Sequence, residues 1–420
     1  MQEKISKSPE LVAPAGSWSA LHSAAGSGAD AVYFGIKGLN MRQGADNFDV
    51  MELKKMMELL HKKEKKGYLA LNVMVYDNEL NKVKSILEAS RDAGVDAVVL
   101  WDTAVLSLAK KIGLTVHLST QASVSNFEAL KFYAGIGVER IVLARENTLE
   151  DIINIVSKAK KEDVKCGVEI FVHGAMCLSV SGRCLLSHES FSKSANRGEC
   201  IQPCRREFTI KDKEDECEYT LGEDYILSAK DLCTIGFMDK LIESGVDAFK
   251  IEGRNRPPEY VGEVTSVYRE AIDAFFAGEL SPDKKNELIE TLSGVFNRGL
   301  TDGFYFGRPS DAEGSVPREY EKTYLGEVIK FYKKINVAEI SVKNGTIETG
   351  QKILISGKKT PASFTLVNEM QIDHEPVTFV EKGKEVGVKL PFPVRPKDKV
   401  FIWKDKKDAG HGGDTFPGEV

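Results

Sequence analysis

The amino-acid sequence predicts an α/β protein: a (βα)8 barrel with a long cysteine-rich insertion between strands 7 and 8, followed by a small antiparallel β-barrel domain. The barrel is predicted by a pattern in which a glycine and a short polar turn precede an apolar strand. The pattern occurs as SGADAVYFGI, AGVDAVVLWD, IGVERIVLARE and SGVDAFKIEGR. A glycine that ends a helix before a buried strand is typical of a parallel α/β sheet.

Further apolar runs bring the predicted strands to eight, each followed by a stretch that can form a helix. In chain order the strands occupy residues 10–16, 27–36, 68–75, 93–102, 115–120, 136–146, 168–174 and 244–254. After the last strand, residues 258–278 are apolar at helical spacing. Eight such units favour a closed barrel. The alternative is a doubly wound open sheet, but APAGSWSA, after the first strand, lacks the glycine-rich phosphate loop of that fold.

An unusually long segment separates the seventh strand from the eighth. More than 70 residues lie between Gly174 and Ala248. Six of the seven cysteines of the chain lie in this insertion: Cys177, Cys184, Cys200, Cys204, Cys217 and Cys233. In barrels of this class the connections that follow the strands form the catalytic face. The sequence therefore predicts that thiols are concentrated where the chemistry takes place.

The pattern changes beyond residue 320. Segments such as NVAEISV, QKILISG and DKVFIW alternate apolar and polar residues, and the turn-forming pair NG occurs at 344–345. We therefore predict a catalytic barrel domain over residues 1–318 and a small β-barrel domain over 319–405. The polar, glycine-rich tail, residues 406–420, is expected to be disordered.

Charge and hydropathy exclude some classes of function. The formal net charge is −6, which argues against a protein that coats nucleic acid non-specifically but leaves room for a local basic site. The N-terminal segment MQEKISKSPELVAPAG has no apolar core of a signal peptide. No apolar run approaches the roughly 18 residues that span a bilayer. We expect a cytoplasmic protein without a membrane partner.

The clustered cysteines admit three interpretations. They could be buried free thiols, although their neighbours are mostly glycine, serine, arginine and proline. They could bind structural zinc, although no CxxC pair occurs. An iron–sulfur cluster is favoured, because thiolates suit such clusters and their spacing varies between families. The CxxxCxxC motif of radical enzymes is absent, since Glu207 stands where its third cysteine would be.

Polar residues mark the predicted strand ends, where a barrel places its active site. Arginines there could bind a carboxylate or phosphate through two hydrogen bonds. The candidate binding residues are Arg42, Asn72, His117, Gln121, Arg145, Arg183 and Arg254. The candidates for proton transfer are His173, Glu169 and Glu252. The alternative for each is a structural hydrogen bond or a salt bridge at the barrel rim. The protease motifs HExxH and GxSxG do not occur.

The segment EIFVHGAMCLSVSGRCLLS, residues 169–187, resembles the collagenase-like peptidase family U32. The resemblance extends through ELVAPAG, HLSTQASVSN, NRGECIQPCR, SAKDLC, KIEGR and FNRGLTDGF, and covers about residues 8–310. Better understood members of this family are oxygen-independent hydroxylases. Their substrates are the wobble uridine of tRNA, with prephenate required, a cytidine of ribosomal RNA, or a precursor of ubiquinone.

The resemblance implies a 4Fe–4S cluster bound by Cys177, Cys184, Cys200 and Cys233, with Cys204 as an alternative ligand. It also implies prephenate as a small anionic co-substrate, an unidentified electron donor and tRNA as partner. The expected activity is 5-hydroxylation of the wobble uridine. The alternatives are a ribosomal RNA or ubiquinone-pathway hydroxylase, and a peptidase, for which Cys177 and His173 would form the only tempting pair of nucleophile and base.

Overall fold

The computed structural model describes residues 7–205, 208–211, 218–221, 230–307, 320–357 and 359–405. The chain divides into two compact units, residues 1–316 and 317–420. The predicted boundary at 318/319 and the predicted disordered tail, residues 406–420, lie outside the described residues, as does Cys217. In the described part of the chain, no helix has the length and apolar character needed to cross a membrane.

The first unit contains a closed barrel of eight parallel strands. The strands of the whole unit are β1 (Glu10–Ala15), β2 (Ala31–Gly35), β3 (Lys66–Ala70), β4 (Ala97–Leu100), β5 (Val116–Leu118), β6 (Arg140–Val142), β7 (Gly167–Ala175), β8 (Phe208–Lys211), β9 (Glu218–Leu221), β10 (Asp231–Cys233), β11 (Ala248–Ile251) and β12 (Leu300–Thr301), of which β1 to β7 and β11 form the barrel. Strands β1 to β7 pair in sequence, and β11 pairs with both β7 and β1. These contacts close the ring and confirm the predicted (βα)8 barrel.

Helices follow the barrel strands. They are α1 (Trp18–Gly26), α2 (Leu53–Lys62), α3 (Leu80–Asp92), α4 (Thr103–Ile112), α5 (Phe127–Gly135), α6 (Leu149–Lys161), α7 (Leu186–Phe191), α8 (Met238–Glu243), α9 (Pro258–Ala277) and α10 (Pro282–Ser293). Local sequence sets their ends. For example, the Asp102 side chain accepts the first free N–H groups of α4, and Gly113 ends that helix with a φ of 85°.

Charged side chains fill the lower part of the barrel interior. Glu169 accepts hydrogen bonds from Lys250 Nζ at 2.6 Å and from Arg140 Nη1 at 3.3 Å. Arg140 also donates to Glu10 at 2.6 Å, near the start of β1. The apolar core lies mainly between the barrel and its helices. The packed lower layers leave the carboxyl ends of the strands as the open end of the barrel.

The insertion between β7 and β11 does not form only loops. Strand β10 pairs antiparallel with the end of β7, with Cys233 opposite His173 and Asp231 opposite Ala175. β12 then adds to β10. The described cysteines of the insertion are thereby divided between residues 177–204, which include α7, and strand β10, which pairs with the barrel.

The second unit is antiparallel, as predicted. Its strands are β13 (Tyr320–Tyr332), β14 (Val337–Val342), β15 (Thr346–Glu348), β16 (Lys352–Gly357), β17 (Thr360–Leu366), β18 (Met370–Ile372), β19 (Glu375–Pro376), β20 (Phe379–Glu381), β21 (Glu385–Lys389) and β22 (Lys399–Asp405). Eight of them form one sheet in the order β17-β16-β22-β13-β14-β21-β18-β19, and β15 pairs with β20. The unit has its own apolar core.

Candidate active site at the carboxyl end of the barrel

A cavity of about 430 Å³ opens at the carboxyl end of the barrel. Its lining comes from the segments that follow β2, β5, β6, β7 and β11, and from the segment around residue 298. Parallel strands bring their carboxyl ends to one face, so residues far apart in the chain meet here. We call this space the outer cavity. Its described lining includes five arginines and two glutamates, which makes it a basic site.

Four cysteines share the outer cavity: Cys177, Cys184, Cys200 and Cys204. Backbone N–H groups already point at two of the sulfurs, from Leu186 to Cys184 Sγ at 3.3 Å and from Gln202 to Cys200 Sγ at 3.4 Å. Such hydrogen bonds stabilise thiolates and are one of the means by which proteins tune iron–sulfur clusters. The segment therefore presents several thiols to one space, with hydrogen-bond donors in place.

The four cysteines line one cavity without forming a closed metal site in the described part of the chain. Among the described residues, no three histidine, cysteine or carboxylate side chains lie close enough to hold one ion. Four sulfurs around one zinc ion would be about 3.8 Å apart, given Zn–S bonds of about 2.3 Å. A four-iron cluster binds each thiolate to a different iron atom and so keeps the sulfurs farther apart. What supports a cluster here is the donor chemistry, four thiols that line one cavity.

Cys233, expected as the fourth cluster ligand, does not line the outer cavity among the described residues. Its side chain is buried, and its Sγ lies 4.0 Å from the hydroxyl of Tyr268 on α9. Burial raises the pKa of the Cys233 thiol. The pairing of β10 with β7 holds this residue against the barrel wall. Cys204, expected only as an alternative ligand, takes the place beside the other three cysteines.

A smaller chamber of about 40 Å³ adjoins the outer cavity and extends into the barrel. We call it the inner chamber. It is large enough for more than one water-sized group. Four cations and one carboxylate contribute to its lining: Arg42, Arg145, Lys250, Arg254 and Glu252. This excess of positive charge, in a chamber lined mostly by buried residues, suits an anionic ligand.

Glu252 is the point on which the inner arginines converge. Its carboxylate accepts from Arg42 Nε at 3.1 Å and lies 3.7 Å from Arg145 Nη2, and the Tyr33 hydroxyl donates to it at 3.4 Å. Burial alone would raise the pKa of Glu252, but Arg42, Arg145 and Arg254 lower it to about 2. Glu252 is therefore a carboxylate near neutral pH and a weak base, so it is better suited to orient arginines than to carry protons.

Arg254 is enclosed and makes no salt bridge with Glu252. Its Nη1 donates to Asn40 Oδ1 at 3.0 Å, and its side chain is 4% exposed. Within the described part of the chain, its Nε has no hydrogen-bond partner. Burial lowers the pKa of Arg254 to about 10, and Arg42 contributes in the same direction. Arg254 therefore keeps donor capacity for a ligand in the inner chamber.

His173, the expected proton carrier, faces away from both cavities. Its Nδ1 lies 3.3 Å from the Tyr268 hydroxyl, and its ring packs against Tyr260 and Tyr268 of α9. Strict alternation along β7 would place it on the same side as Phe171, which lines the inner chamber. An irregularity in the β7–β11 register at this point turns it outward. Burial lowers the pKa of His173 to about 3.

Glu169 and His117 lie in the barrel interior below the chamber, and neither lines it. Glu169 is fully buried, and its carboxylate is satisfied by Lys250 and Arg140. His117 packs edge-on against Tyr68, and burial lowers its pKa to about 3. The ion pairs of Glu169 favour the structural alternative over its expected role in proton transfer, whereas the buried Nδ1 of His117 has no hydrogen-bond partner among the described residues.

The remaining candidates divide between the chamber and the rim. Asn72 and Gln121 both line the inner chamber, and the Asn72 amide donates to Gln121 Oε1 at 3.2 Å. Arg183 does not line either cavity among the described residues. It donates to the Gln121 carbonyl at 2.6 Å, and its guanidinium lies 5.1 Å from the ring centre of Trp101. Arg183 thus fastens the cysteine segment to the strand ends.

Sequence reasoning missed a second arginine group, on the outer wall. Arg205, Arg256 and Arg298 all line the outer cavity, beside Cys204. Arg256 donates to Asp231 Oδ2 at 2.7 Å, and Arg298 donates to Asp231 Oδ1 at 3.4 Å. The RNR triplet after β11 was a possible signal for Arg256. Arg205 and Arg298 lie beyond the predicted strand ends, so the strand-end pattern did not indicate them.

Comparisons with known proteins agree on one family. The model described as Peptidase family U32 matches residues 16–315. A collagenase of Porphyromonas gingivalis is 38% identical over 95% of this chain and 98% of its own length. An uncharacterized protease of Methanocaldococcus jannaschii is 41% identical over 94% and 98%. A tRNA hydroxylation protein P1 of Bacillus subtilis is 34% identical over 81% and 82%.

Proposed function

Since the chain belongs to peptidase family U32, we propose that it is an RNA hydroxylase that works with an iron–sulfur cluster and without molecular oxygen. In this proposal its substrate is tRNA, hydroxylated at C5 of the wobble uridine. The observation that carries the proposal is a single cavity in which four cysteines face a wall of arginines. Thiolates suit such clusters, and guanidinium groups suit carboxylates and phosphates. The Bacillus relative, named for tRNA hydroxylation, supports RNA as the substrate.

The cluster would be held by Cys177, Cys184, Cys200 and Cys204. We choose Cys204 over Cys233 because it shares the outer cavity with the other three, whereas Cys233, on β10, is buried against α9. When bound, a 4Fe–4S cluster supplies one-electron transfer at its site. An electron donor is required and is left open in the proposal.

The small co-substrate, for which prephenate is our candidate, would place a carboxylate in the inner chamber. Arg42, Arg145 and Arg254 offer guanidinium donors there, and Glu252 orients the first two. The volume of the chamber admits only part of such a molecule, so its remainder would extend into the outer cavity. There the reacting atoms would meet the cluster and the nucleotide in a largely buried setting, where electrostatic interactions are stronger.

Peptidase activity is the second candidate function, because two relatives are named as a collagenase and a protease. A cysteine nucleophile needs a base within hydrogen-bond reach. His173 packs behind β7 against α9, and Cys177 lies in the outer cavity. The expected pair is therefore not assembled, which disfavours this alternative.

The experiment compares Cys200→Ser with the matched control Cys166→Ser, a buried cysteine at the start of β7, outside both cavities. Each variant is returned to a strain that lacks the gene, and hydroxylated nucleosides are measured separately in tRNA and ribosomal RNA. Gelatin hydrolysis by the purified proteins is measured in parallel. We expect tRNA hydroxylation with Cys166→Ser and none with Cys200→Ser. Gelatin hydrolysis that survives Cys200→Ser, with unchanged RNA, would establish the peptidase alternative.

A further inference from the structure

The arginine group on the outer wall, Arg205, Arg256 and Arg298, is distinct from the arginines of the inner chamber. The two groups share no member, and Asp231, which anchors the outer group, does not line the inner chamber. Asp231 is fully buried, and each of its oxygens accepts from one arginine, Arg256 at 2.7 Å and Arg298 at 3.4 Å.

Aromatic rings fix the outer arginines in position. The guanidinium of Arg256 lies 4.4 Å from the ring centre of Phe296 and 5.0 Å from that of Tyr260. Arg298 lies 5.0 Å from the ring centre of Phe296. Guanidinium groups stack readily on aromatic faces and keep their edge N–H donors available when they do. The cations are therefore held in place before a ligand arrives.

Charge and enclosure call for an anion at this wall. Arg256 and Arg298 share one carboxylate, that of Asp231, and their side chains are 12% and 17% exposed. Cations so largely removed from water are costly unless they are paired. Arg205 is anchored differently, by a hydrogen bond to Gln202 Oε1 at 2.7 Å. A phosphate group, with several acceptor oxygens, matches donors that converge from three side chains.

The shape of the site provides separate places for a small anion, in the inner chamber, and for a polymer, in the outer cavity. The inner chamber has only two lining residues that are more than about a tenth exposed, Arg42 and Arg145, and both also line the outer cavity. The chamber is therefore a blind extension that small molecules enter through the outer cavity. Arg205, Arg256 and Arg298 line the outer cavity and not the inner chamber, so a ligand can contact them without entering the chamber.

We propose that Arg205, Arg256 and Arg298 bind a backbone phosphodiester of the RNA substrate, next to the nucleotide that enters the outer cavity. This inference rests on the proposed function and adds the subsite that holds the polymer.

The test measures binding without turnover. A fluorescently labelled RNA with the sequence of a tRNA anticodon stem-loop is titrated with the full chain, purified anaerobically, over a range of salt concentrations. The variants are Arg298→Gln and Arg205→Gln. Arg91→Gln is the control, because Arg91 lies on α3 and pairs with its neighbour Asp92 at the surface. Iron content and thermal unfolding are recorded for each protein.

We expect each outer variant to weaken RNA binding about tenfold or more and to reduce the salt slope by about one phosphate contact. Iron content should stay at the parental level. In the described part of the chain, Arg205 forms no hydrogen bond with Asp231. The Arg205→Gln variant therefore tests the site even if Arg298→Gln unfolds.

Three results would overturn the inference. One is RNA affinity unchanged in both outer variants. Another is loss of iron without loss of RNA affinity, which would mean that these arginines neutralise the charge of the cluster. The third is a parental chain that binds inorganic phosphate but not RNA. The two proposals can also fail separately. If RNA binding by the purified chain depends on the outer group, but RNA hydroxylation in the cell does not depend on the gene, the subsite is retained and the proposed function is rejected.

Discussion

At the scale of single residues, Glu252 shows how the site can hold several cations in a buried space. Without its carboxylate, Arg42 and Arg145 would lose their shared partner. Breaking a buried pair by removing one member leaves an uncompensated charge, which is strongly destabilising. The depressed pKa of Glu252, about 2 against 4.5 for an ordinary glutamate, expresses the same interaction.

Replacing Glu252 by glutamine should therefore destabilise the protein in a pH-dependent way. A carboxylate with a depressed pKa stabilises the folded state fully above its unfolded pKa, and this contribution is lost as the pH falls from about 4.5 toward 2. We expect Glu252→Gln to lower the free energy of unfolding on the order of 3 kcal/mol at pH 7 and by clearly less at pH 3.

Urea denaturation at both pH values measures this difference. The exposed Glu58 provides the control, and Glu58→Gln should follow the parental protein at each pH. A destabilisation by Glu252→Gln that is the same at pH 7 and pH 3 would contradict the role assigned to its charge.

The identity of the fourth cluster ligand is a second question at this scale. We expect Cys204→Ser to lose most of its iron under anaerobic purification, because Cys204 lines the cavity of the other three cysteines. Cys233→Ser should keep its iron, since its side chain packs against α9. Iron and acid-labile sulfide per chain are the measured quantities. The opposite pattern would return the ligand role to Cys233 and require β10 to move.

The sequence predicted the residues of the inner chamber better than those of the outer wall. Arg42, Arg145, Arg254 and Glu252 follow recognisable strands, and a closed barrel must bring strand ends together. Arg205 and Arg298 belong to the insertion and to the segment after α10, whose positions depend on tertiary contacts such as those with Asp231. Spacing along the chain carries no signal for such contacts.

At the scale of elements, the end of β7 determines which of its side chains face the barrel interior. The register with β11 shifts beside His173, and Gly174 follows with a φ of 105°. Strict alternation along β7 would place His173 inside the barrel, and the irregularity turns it outward. β-bulges re-aim side chains in this manner, often next to active sites. A period of two along the strand could not reveal it.

Gly174→Ala should disturb this junction. The new Cβ would lie 2.4 Å from the backbone oxygen of Glu252, and the residue would have to keep a left-handed φ. We expect a loss of at least about 2 kcal/mol in the free energy of unfolding. Gly167→Ala is the matched control at the start of the same strand, where the nearest atom would be 3.4 Å away. Thermal and urea unfolding of the two variants should differ clearly, and equal stabilities would contradict the junction described.

At the scale of the whole molecule, simple patterns were sufficient to predict the fold. Four repeated glycine–turn–strand units and four further apolar runs predicted the eight barrel strands, and the change to alternating residues near 320 predicted the antiparallel second unit. Both sequence patterns arise because a strand buried on two faces is apolar throughout, whereas a strand buried on one face alternates apolar and polar residues. The addition of β10, antiparallel to β7, and of β12, parallel to β10, was not predicted, because three-residue and two-residue strands are too short to show a period.

The central claim is that this chain hydroxylates RNA, and nucleoside mass spectrometry tests it most directly. Total tRNA and ribosomal RNA are digested from a strain that lacks the gene, from its parent and from the complemented strain. The account predicts that 5-hydroxyuridine or its further modified forms disappear from the tRNA of the deletion strain and return on complementation. Unchanged nucleosides in every RNA fraction would contradict it.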